Sequence, residues 1–381
     1  MSLKAAKICL FAAWCIRLVP LVLLFVSYYC FNFYLQSNGG TIKAPAPTKS
    51  LCEEWMGQGK KWENLNFTIT RKTDLFLQLE DFFWRQHLST LALPYGIKGS
   101  ESLLLKILAV TANCKMPASI ENLDCRTCAV IGNGFAIKNS SLGAAINKYD
   151  VVIRLNDAPV RGYEHDVGNK TTLRLFYPES AVYNPSLQNN PDTLLVLVPF
   201  KQQDLRWLKE ILYDEKRVFC EKQHRLLTAC WSLHSQRSLP NFMVDSEESA
   251  AWGETVRKGF WKPPPQIWLG KTSQIRVLDP YFLHHTASKL LQIPLNPKGR
   301  EKPVHPTTGI LAVFIALNYC DVVHIAGFGY PEAKNQRQPI HYFGSNTMKS
   351  MKDSYHDLDH ESQTLRKLEE AGAILYLHPH S

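Results

Sequence analysis

A chain of 381 residues that is 45% hydrophobic and 20% charged has the composition of a globular protein, which excludes a disordered or fibrous class. Its length suits one large domain plus an anchor, or two modest domains. The formal net charge of +9 suits an acidic ligand or an anionic membrane face, but without a dense Lys/Arg run it does not make a nucleic-acid partner.

The N-terminus carries the first strong signal. No charged residue occurs from Leu18 to Leu35, Ile8 to Ile16 is also apolar, Lys4, Lys7 and Arg17 precede or interrupt the stretch, and the first acid is Glu53. This reads as a cytoplasmic tail (1–17), a transmembrane signal anchor (18–35), a short Gly/Pro/Ser/Thr-rich stem (36–60) and a lumenal domain (61–381). A cleaved secretory signal is the alternative, but the apolar stretch is longer than a usual h-region of about 7–15 residues.

Cys9, Cys15 and Cys30 fall to the anchor side, leaving Cys52, Cys114, Cys125, Cys128, Cys220, Cys230 and Cys320 for an oxidising lumen, where disulfides are the default. The odd number leaves at least one thiol unpaired or paired between chains, which admits a homodimer. Asn-x-Ser/Thr sequons at Asn66, Asn139 and Asn169 fit lumenal glycosylation.

Leu75 to Trp84 and Glu101 to Ala112 have apolar residues at helical spacing, with a turn at Leu93-Pro-Tyr-Gly96 between them. From Cys128 the pattern changes. Two apolar runs, Cys128–Ile131 and Val151–Leu155, flank a segment of helical character, Ser140–Lys148. Further strands are expected at Thr172–Tyr177, Thr193–Phe200, Gln274–Leu278 and Asp321–Ala326. Helices are expected at Gln203–Tyr213, Tyr281–Leu291, Thr308–Tyr319 and Glu361–Ala371, the last stopped by Gly372. Alternation of this kind predicts an α/β fold with a mostly parallel sheet and helices on both faces. The stretch 219–256, with Cys220, Cys230, Pro240 and an acidic patch at 245–248, has no sustained period and reads as a surface insert.

Gly132-Asn133-Gly134 follows the first strand, where glycines let a phosphate or ribose approach the backbone, and Asn133 and Asn156 can hydrogen-bond a base or sugar. A dinucleotide oxidoreductase is excluded, because Ile137 stands where the third glycine of Gly-x-Gly-x-x-Gly belongs. Pro306-Thr307-Thr308-Gly309 opens a helix and can form either a plain N-cap or an anion site. His341 and His356 are imidazoles able to accept a sugar hydroxyl proton or to meet a phosphate charge. Asp357-Leu-Asp359 has the form of a metal-binding Asp-x-Asp, but its place at a helix start reads as acids complementing the dipole. No Cys/His spacing resembles a zinc site, so no metal is expected.

Together these pieces resemble the eukaryotic sialyltransferase family, glycosyltransferase family 29. The large motif lies at Cys128 to Thr172 with trailing Tyr177-Pro-Glu-Ser180, and the small motif runs from Pro306 through Cys320 to Tyr330. The third motif is His341-Tyr-Phe, and the very small motif is His356-x4-Glu361. Leu93-Pro-Tyr-Gly-Ile-Lys-Gly-Ser100 and Val323-His-Ile-Ala-Gly-Phe-Gly-Tyr330 are closest to the β-galactoside α-2,3 branch. The resemblance implies a Rossmann-like variant of the GT-A fold in a type II Golgi membrane protein. It also implies transfer of sialic acid from CMP-N-acetylneuraminate, without a metal or other cofactor, to galactose-terminated glycans.

By the same resemblance, Asn133, Asn156, Thr307, Thr308, Gly309 and His341 would bind the donor, and His356 would be the general base. Disulfides Cys128–Cys320 and Cys52–Cys125 are implied. The insert 219–256, Gly344 and the tail Leu375–Ser381 depart from the family pattern. The competing reading is a catalytically silent lumenal sugar-binding protein on the same scaffold, motivated only by the insert.

Overall fold

The computed structural model describes residues 27–29, 52–53, 73–84, 90–111, 115–214, 259–296, 304–329, 337–351 and 355–378. The chain divides into two units, Met1–Glu54 and Trp55–Ser381. In the first, residues 27–29 and 52–53 are helical, and Cys52 is in disulfide form. Among the described residues no helix is long and apolar enough to cross a membrane. The span 18–35 lies outside them apart from residues 27–29, and the insert 219–256, Asn66, Cys114, Cys220 and Cys230 lie outside them altogether.

The second unit is α/β. Its first long helix, α1, is Glu101–Thr111. The sheet begins with β1 (Thr127–Ile131), β2 (Val151–Leu155), β3 (Leu173–Phe176) and β4 (Leu194–Leu197), after which α2 spans Gln202–Leu212. β5 (Ile275–Val277) leads into α3 (Pro280–His285), which continues as a π-helical turn through Leu290. Then come α4 (Thr308–Tyr319), β6 (Val322–Ala326), α5 (Leu358–Glu370) and the short β7 (Leu375–Tyr376).

The seven strands lie in the order β5-β4-β3-β2-β1-β6-β7, and every pair is parallel. The side chains obey a period of two. Cys128, Val130, Val151, Ile153, Leu173, Leu175, Leu194 and Val196 join one core with α4, while Phe176, Leu195 and Leu197 pack with α1 and α2 on the other face. Strands sandwiched in this way need apolar residues on both faces, which is why they read as continuous runs rather than alternations. Ile310 through Tyr319 of α4 are buried without interruption, as fits a helix that is apolar all round. α5 ends at Gly372, whose φ of +68° allows its N–H to reach the Glu369 carbonyl at 2.8 Å.

One expected helix is corrected. Only Asp81–Trp84 of the stretch 75–84 is helical. Leu75, Phe76 and Leu77 are extended and buried along the outer edge of β5: Phe76 forms an antiparallel bridge with Leu278, and the Leu77 N–H donates to the Val277 carbonyl at 2.9 Å. Three consecutive apolar side chains are buried here because the segment covers an otherwise open sheet edge, a demand stronger than helical spacing.

Candidate active site

Chain order reverses at β1: the strands that follow it run outward on one side, while β6 and β7 lie on the other. A parallel sheet forms its ligand crevice outside the strand C-termini at such a switch point. The loops after β1, β2 and β6 meet there.

The glycines of the β1 loop serve this meeting. The N–H groups of Gly132 and Gly134 donate to the carbonyls of Ala326 and Gly327, at 2.8 and 2.7 Å. A Cβ on Gly132 would lie 2.4 Å from the Gly327 oxygen, and one on Gly134 would lie 2.6 Å from it. The close approach of the β6 loop therefore demands glycine at both positions, apart from the expected approach of a phosphate or ribose. Gly327 is held from the far side by His378, whose Nε2 accepts its N–H at 2.9 Å.

Residues 340–342 run antiparallel to this loop. Gly134 bridges His341, the Phe135 N–H donates to the Ile340 carbonyl, and the Tyr342 N–H donates to the Asn133 carbonyl at 3.0 Å. His341 stacks on Phe343 with centroids 5.2 Å apart. Burial lowers its pKa below the ordinary imidazole value, against an opposing pull from Asp157, so the ring is neutral near pH 7. Tyr342 is buried, and its hydroxyl donates to the Pro159 carbonyl at 2.7 Å, tying the third motif to the turn after Asn156.

Asn156 follows β2 directly, with φ at +54°. Its Nδ2 donates to the Thr308 hydroxyl at 3.2 Å, so the β2 loop and the start of α4 touch directly. The amide oxygens of Asn133 and Asn156 are both buried with no hydrogen-bond partner. An orphaned buried acceptor costs about 1–3 kcal/mol, so a pair of them beside one crevice fits a ligand rich in hydroxyl or amine donors.

At the start of α4, Thr307 is the N-cap, with its hydroxyl accepting from the Ile310 N–H at 3.2 Å. That same hydroxyl and the Thr307 N–H donate to the carboxylate of Glu361, at 2.6 and 2.7 Å. The N-cap reading of Thr307 is thus the structural one, while Thr308 and Gly309 present first-turn N–H groups of a twelve-residue helix. A Cβ on Gly309 would meet Phe328 and the Thr307 hydroxyl, each at 3.3 Å.

His356 precedes α5. Its Nδ1 donates to the His305 carbonyl at 2.8 Å, and the His305 N–H donates to the Tyr355 carbonyl, also at 2.8 Å. With Nδ1 carrying the proton, Nε2 holds the basic lone pair. Burial lowers the pKa of His356, opposed by the His305 hydrogen bond. His305 in turn meets the Tyr95 hydroxyl through its own Nδ1, at 3.2 Å.

The site therefore has two clusters: His341 with the Asn133 loop, and His356 with the start of α4. Asn156–Thr308 links them. Cys128, near the start of β1, and Cys320, the residue after α4, are bonded to each other across 192 residues of sequence. Cys125 is also in disulfide form. Asn139 and Asn169 are exposed. Asp357 is the N-cap of α5, accepting from the His360 N–H at 3.0 Å, and among the described residues no group of three or more His, Cys, Asp or Glu side chains could hold a metal. His305 and Arg174 also belong to the site's framework, and no local spacing marks them.

The chain is similar to known proteins in sequence and in fold. The model of Glycosyltransferase family 29 (sialyltransferase) matches residues 76–373. A mouse protein named CMP-N-acetylneuraminate-beta-galactosamide-alpha-2,3-sialyltransferase 4 is 48% identical over 305 residues, covering 80% of both chains, and the human protein of that name is 49% identical over the same length and shares. A rat type 2 lactosamine alpha-2,3-sialyltransferase is 39% identical over 277 residues, 72% of both chains. The crystal structure of a mammalian sialyltransferase superposes with a TM-score of 0.50 at 23% identity, over 87% of this chain and 96% of that one, a likeness of fold. A family match spanning most of the chain, with relatives at nearly half identity, makes this chain a member of glycosyltransferase family 29, the sialyltransferases.

Proposed function

We propose that this chain transfers sialic acid from CMP-N-acetylneuraminate to the 3-hydroxyl of a terminal galactose on glycoprotein or glycolipid glycans, with inversion and without a metal. One observation carries the reading. His356 donates from Nδ1 to the carbonyl of His305, which stands three residues before the start of α4 at Thr308, and this leaves Nε2 as a base beside the small motif.

The chemistry follows from the charges. His356 Nε2 takes the proton of the galactose hydroxyl as its oxygen attacks the anomeric carbon of the donor sugar, and the bond from that carbon to the phosphate oxygen breaks. CMP leaves with the electron pair. His341 and the first-turn N–H groups of α4 would meet its phosphate charge, and the amide oxygens of Asn133 and Asn156 would accept from cytidine. A phosphate whose charge is met by fixed donors is already a good leaving group, so no step calls for a divalent cation.

In the same reading, residues 1–17 are cytoplasmic, 18–35 anchor the chain in the Golgi membrane as a type II protein, and 36–60 form a short stem before the lumenal domain 61–381. That domain is a variant of the GT-A fold, Cys52 pairs with Cys125, and Asn66, Asn139 and Asn169 carry glycans. A silent sugar-binding protein is not favoured, since a binding module has no use for a base beside its ligand.

The test is transfer of labelled sialic acid from CMP-sialic acid to lactosamine and to Gal-β-1,3-GalNAc acceptors in the presence of EDTA. Transfer that persists in EDTA supports the proposal. No transfer to either acceptor refutes the enzyme reading, and transfer only with added metal refutes the mechanism.

A further inference from the structure

Arg174 is the second residue of β3, paired with Arg154 near the end of β2, and is 4% exposed. Its guanidinium is spent on two turns. Nη1 donates to the carbonyls of Asn156 and Ala158, at 2.9 and 3.0 Å, while Nε donates to Asn189 Oδ1 at 2.6 Å and Nη2 to the Gln188 carbonyl at 3.3 Å. Gln188 returns across the same gap, its Oε1 accepting from the N–H groups of Val160 and Arg161. The segments 156–161 and 185–189 are thus joined around one planar fork.

Asn156 is what the fork holds. Asparagine enters the left-handed region more readily than other non-glycine residues, but an extended conformation competes with it unless its surroundings fix the turn. Both peptide groups of Asn156 are pinned: its N–H donates to the Leu175 carbonyl at 2.7 Å, and its carbonyl accepts from Arg174. In that conformation the side chain reaches Thr308, and the unpartnered Oδ1 stays buried.

Arg174 also keeps its charge. None of the ion pairs among the described residues involves it, and carbonyl and amide dipoles solvate it instead. Arg154 on β2 is held in the same manner by the carbonyls of Val167, Gly168 and Lys170. Both guanidiniums are thus held by hydrogen bonds to carbonyl and amide dipoles rather than by an ion pair, with the Asp157 carboxylate favouring the charge on Arg174.

We infer that Arg174 is a positioning residue for the nucleotide half of the donor: its fork locks the Asn156 turn in the left-handed conformation that presents the Asn156 amide oxygen to the ligand. The inference rests on the donor-site reading proposed above. Lysine cannot substitute, because a single ammonium cannot serve acceptors on both turns at fixed angles.

The experiment is CMP titration by calorimetry, with initial-rate kinetics and thermal unfolding, on the full chain and its Arg174→Lys and Asn189→Ala variants. Arg174→Lys keeps the charge and loses the fork. It should raise the Kd for CMP and the donor KM together by about tenfold or more, and leave the acceptor KM and the pH profile of kcat unchanged. Asn189→Ala removes one acceptor of the fork and leaves Arg174 in place, so it reports even if the lysine variant does not fold; about a threefold rise in the CMP Kd is expected. Wild-type protein that binds CMP, with variants that bind it equally well, overturns the inference alone. Wild-type protein that does not bind CMP overturns the donor-site reading beneath it.

Discussion

Thr307 gives both its N–H and its hydroxyl to the carboxylate of Glu361, at 2.7 and 2.6 Å, joining the first turns of α4 and α5. The start of α4 and the His356–Glu361 segment are thereby tied to each other.

Glu361 makes that tie sensitive to pH. Burial pushes its carboxyl up to about 7 from the ordinary 4.5, against the Thr307 hydrogen bonds, which lower it. The folded chain therefore holds this proton more tightly than the unfolded chain. The stability it contributes is full below 4.5 and is lost as pH rises through about 7. Urea unfolding of wild type and Glu361→Gln should show the wild-type advantage shrinking between pH 5 and pH 8, by on the order of 2 kcal/mol. A difference that stays flat over that range would show that Glu361 does not titrate there.

His356 should govern turnover rather than donor binding. Its Nδ1 is committed to the His305 carbonyl, so the reactive form is the neutral ring with Nε2 free to accept. Burial lowers its pKa below 6.5, so activity should be level through neutrality and fall only at more acidic pH, as the base becomes protonated. His356→Ala should reduce kcat by a factor on the order of 100 or more while leaving CMP affinity nearly intact. Weak CMP binding by that variant would make His356 a donor ligand instead.

His341 carries the opposite signature. Burial keeps it neutral when no anion is near, and a bound phosphate would stabilise its charged form. CMP binding near pH 7 should therefore draw a proton from solution, visible as a dependence of the binding enthalpy on buffer ionisation. His341→Ala should abolish that uptake and weaken CMP by about tenfold, the worth of a charge-assisted hydrogen bond. Buffer-independent enthalpies in the wild type would remove His341 from the phosphate site.

The strand and helix alternation was legible because buried parallel strands such as Val151–Leu155 and Leu194–Leu197 announce themselves as short apolar runs, and α4 as a long one. Leu75–Leu77 misled for the same reason: an apolar cluster at helical spacing is also what a segment sealing the edge of β5 needs. Within the candidate site, Asn133, Asn156, Thr308, His341 and His356 stood out singly by residue type and position, but only the order of the family motifs drew them into one set, since no local spacing brings β2 to α4. Arg174 was hidden because one arginine inside Leu173–Phe176 looks like a polar interruption, and its acceptors lie on a turn that folds back from residues 185–189.

The glycines of the β1 loop allow a decisive comparison between two readings of Gly-x-Gly. If Gly134 made room for a ligand, a methyl group there would weaken CMP binding and leave the free protein as stable as before. In the structure the added Cβ would stand 2.6 Å from the Gly327 carbonyl oxygen and 3.0 Å from that of Gly329, a backbone clash that no side-chain rotation relieves. It would also push apart the Gly134 N–H and Gly327 carbonyl, now 2.7 Å from each other. Gly134→Ala should therefore destabilise the ligand-free chain by about 2 kcal/mol, the usual scale of overpacking, and lower its Tm by several degrees. CMP affinity should fall as well, because Asn133 sits in the displaced loop. A variant with wild-type Tm and weakened CMP binding would return the glycine to the ligand.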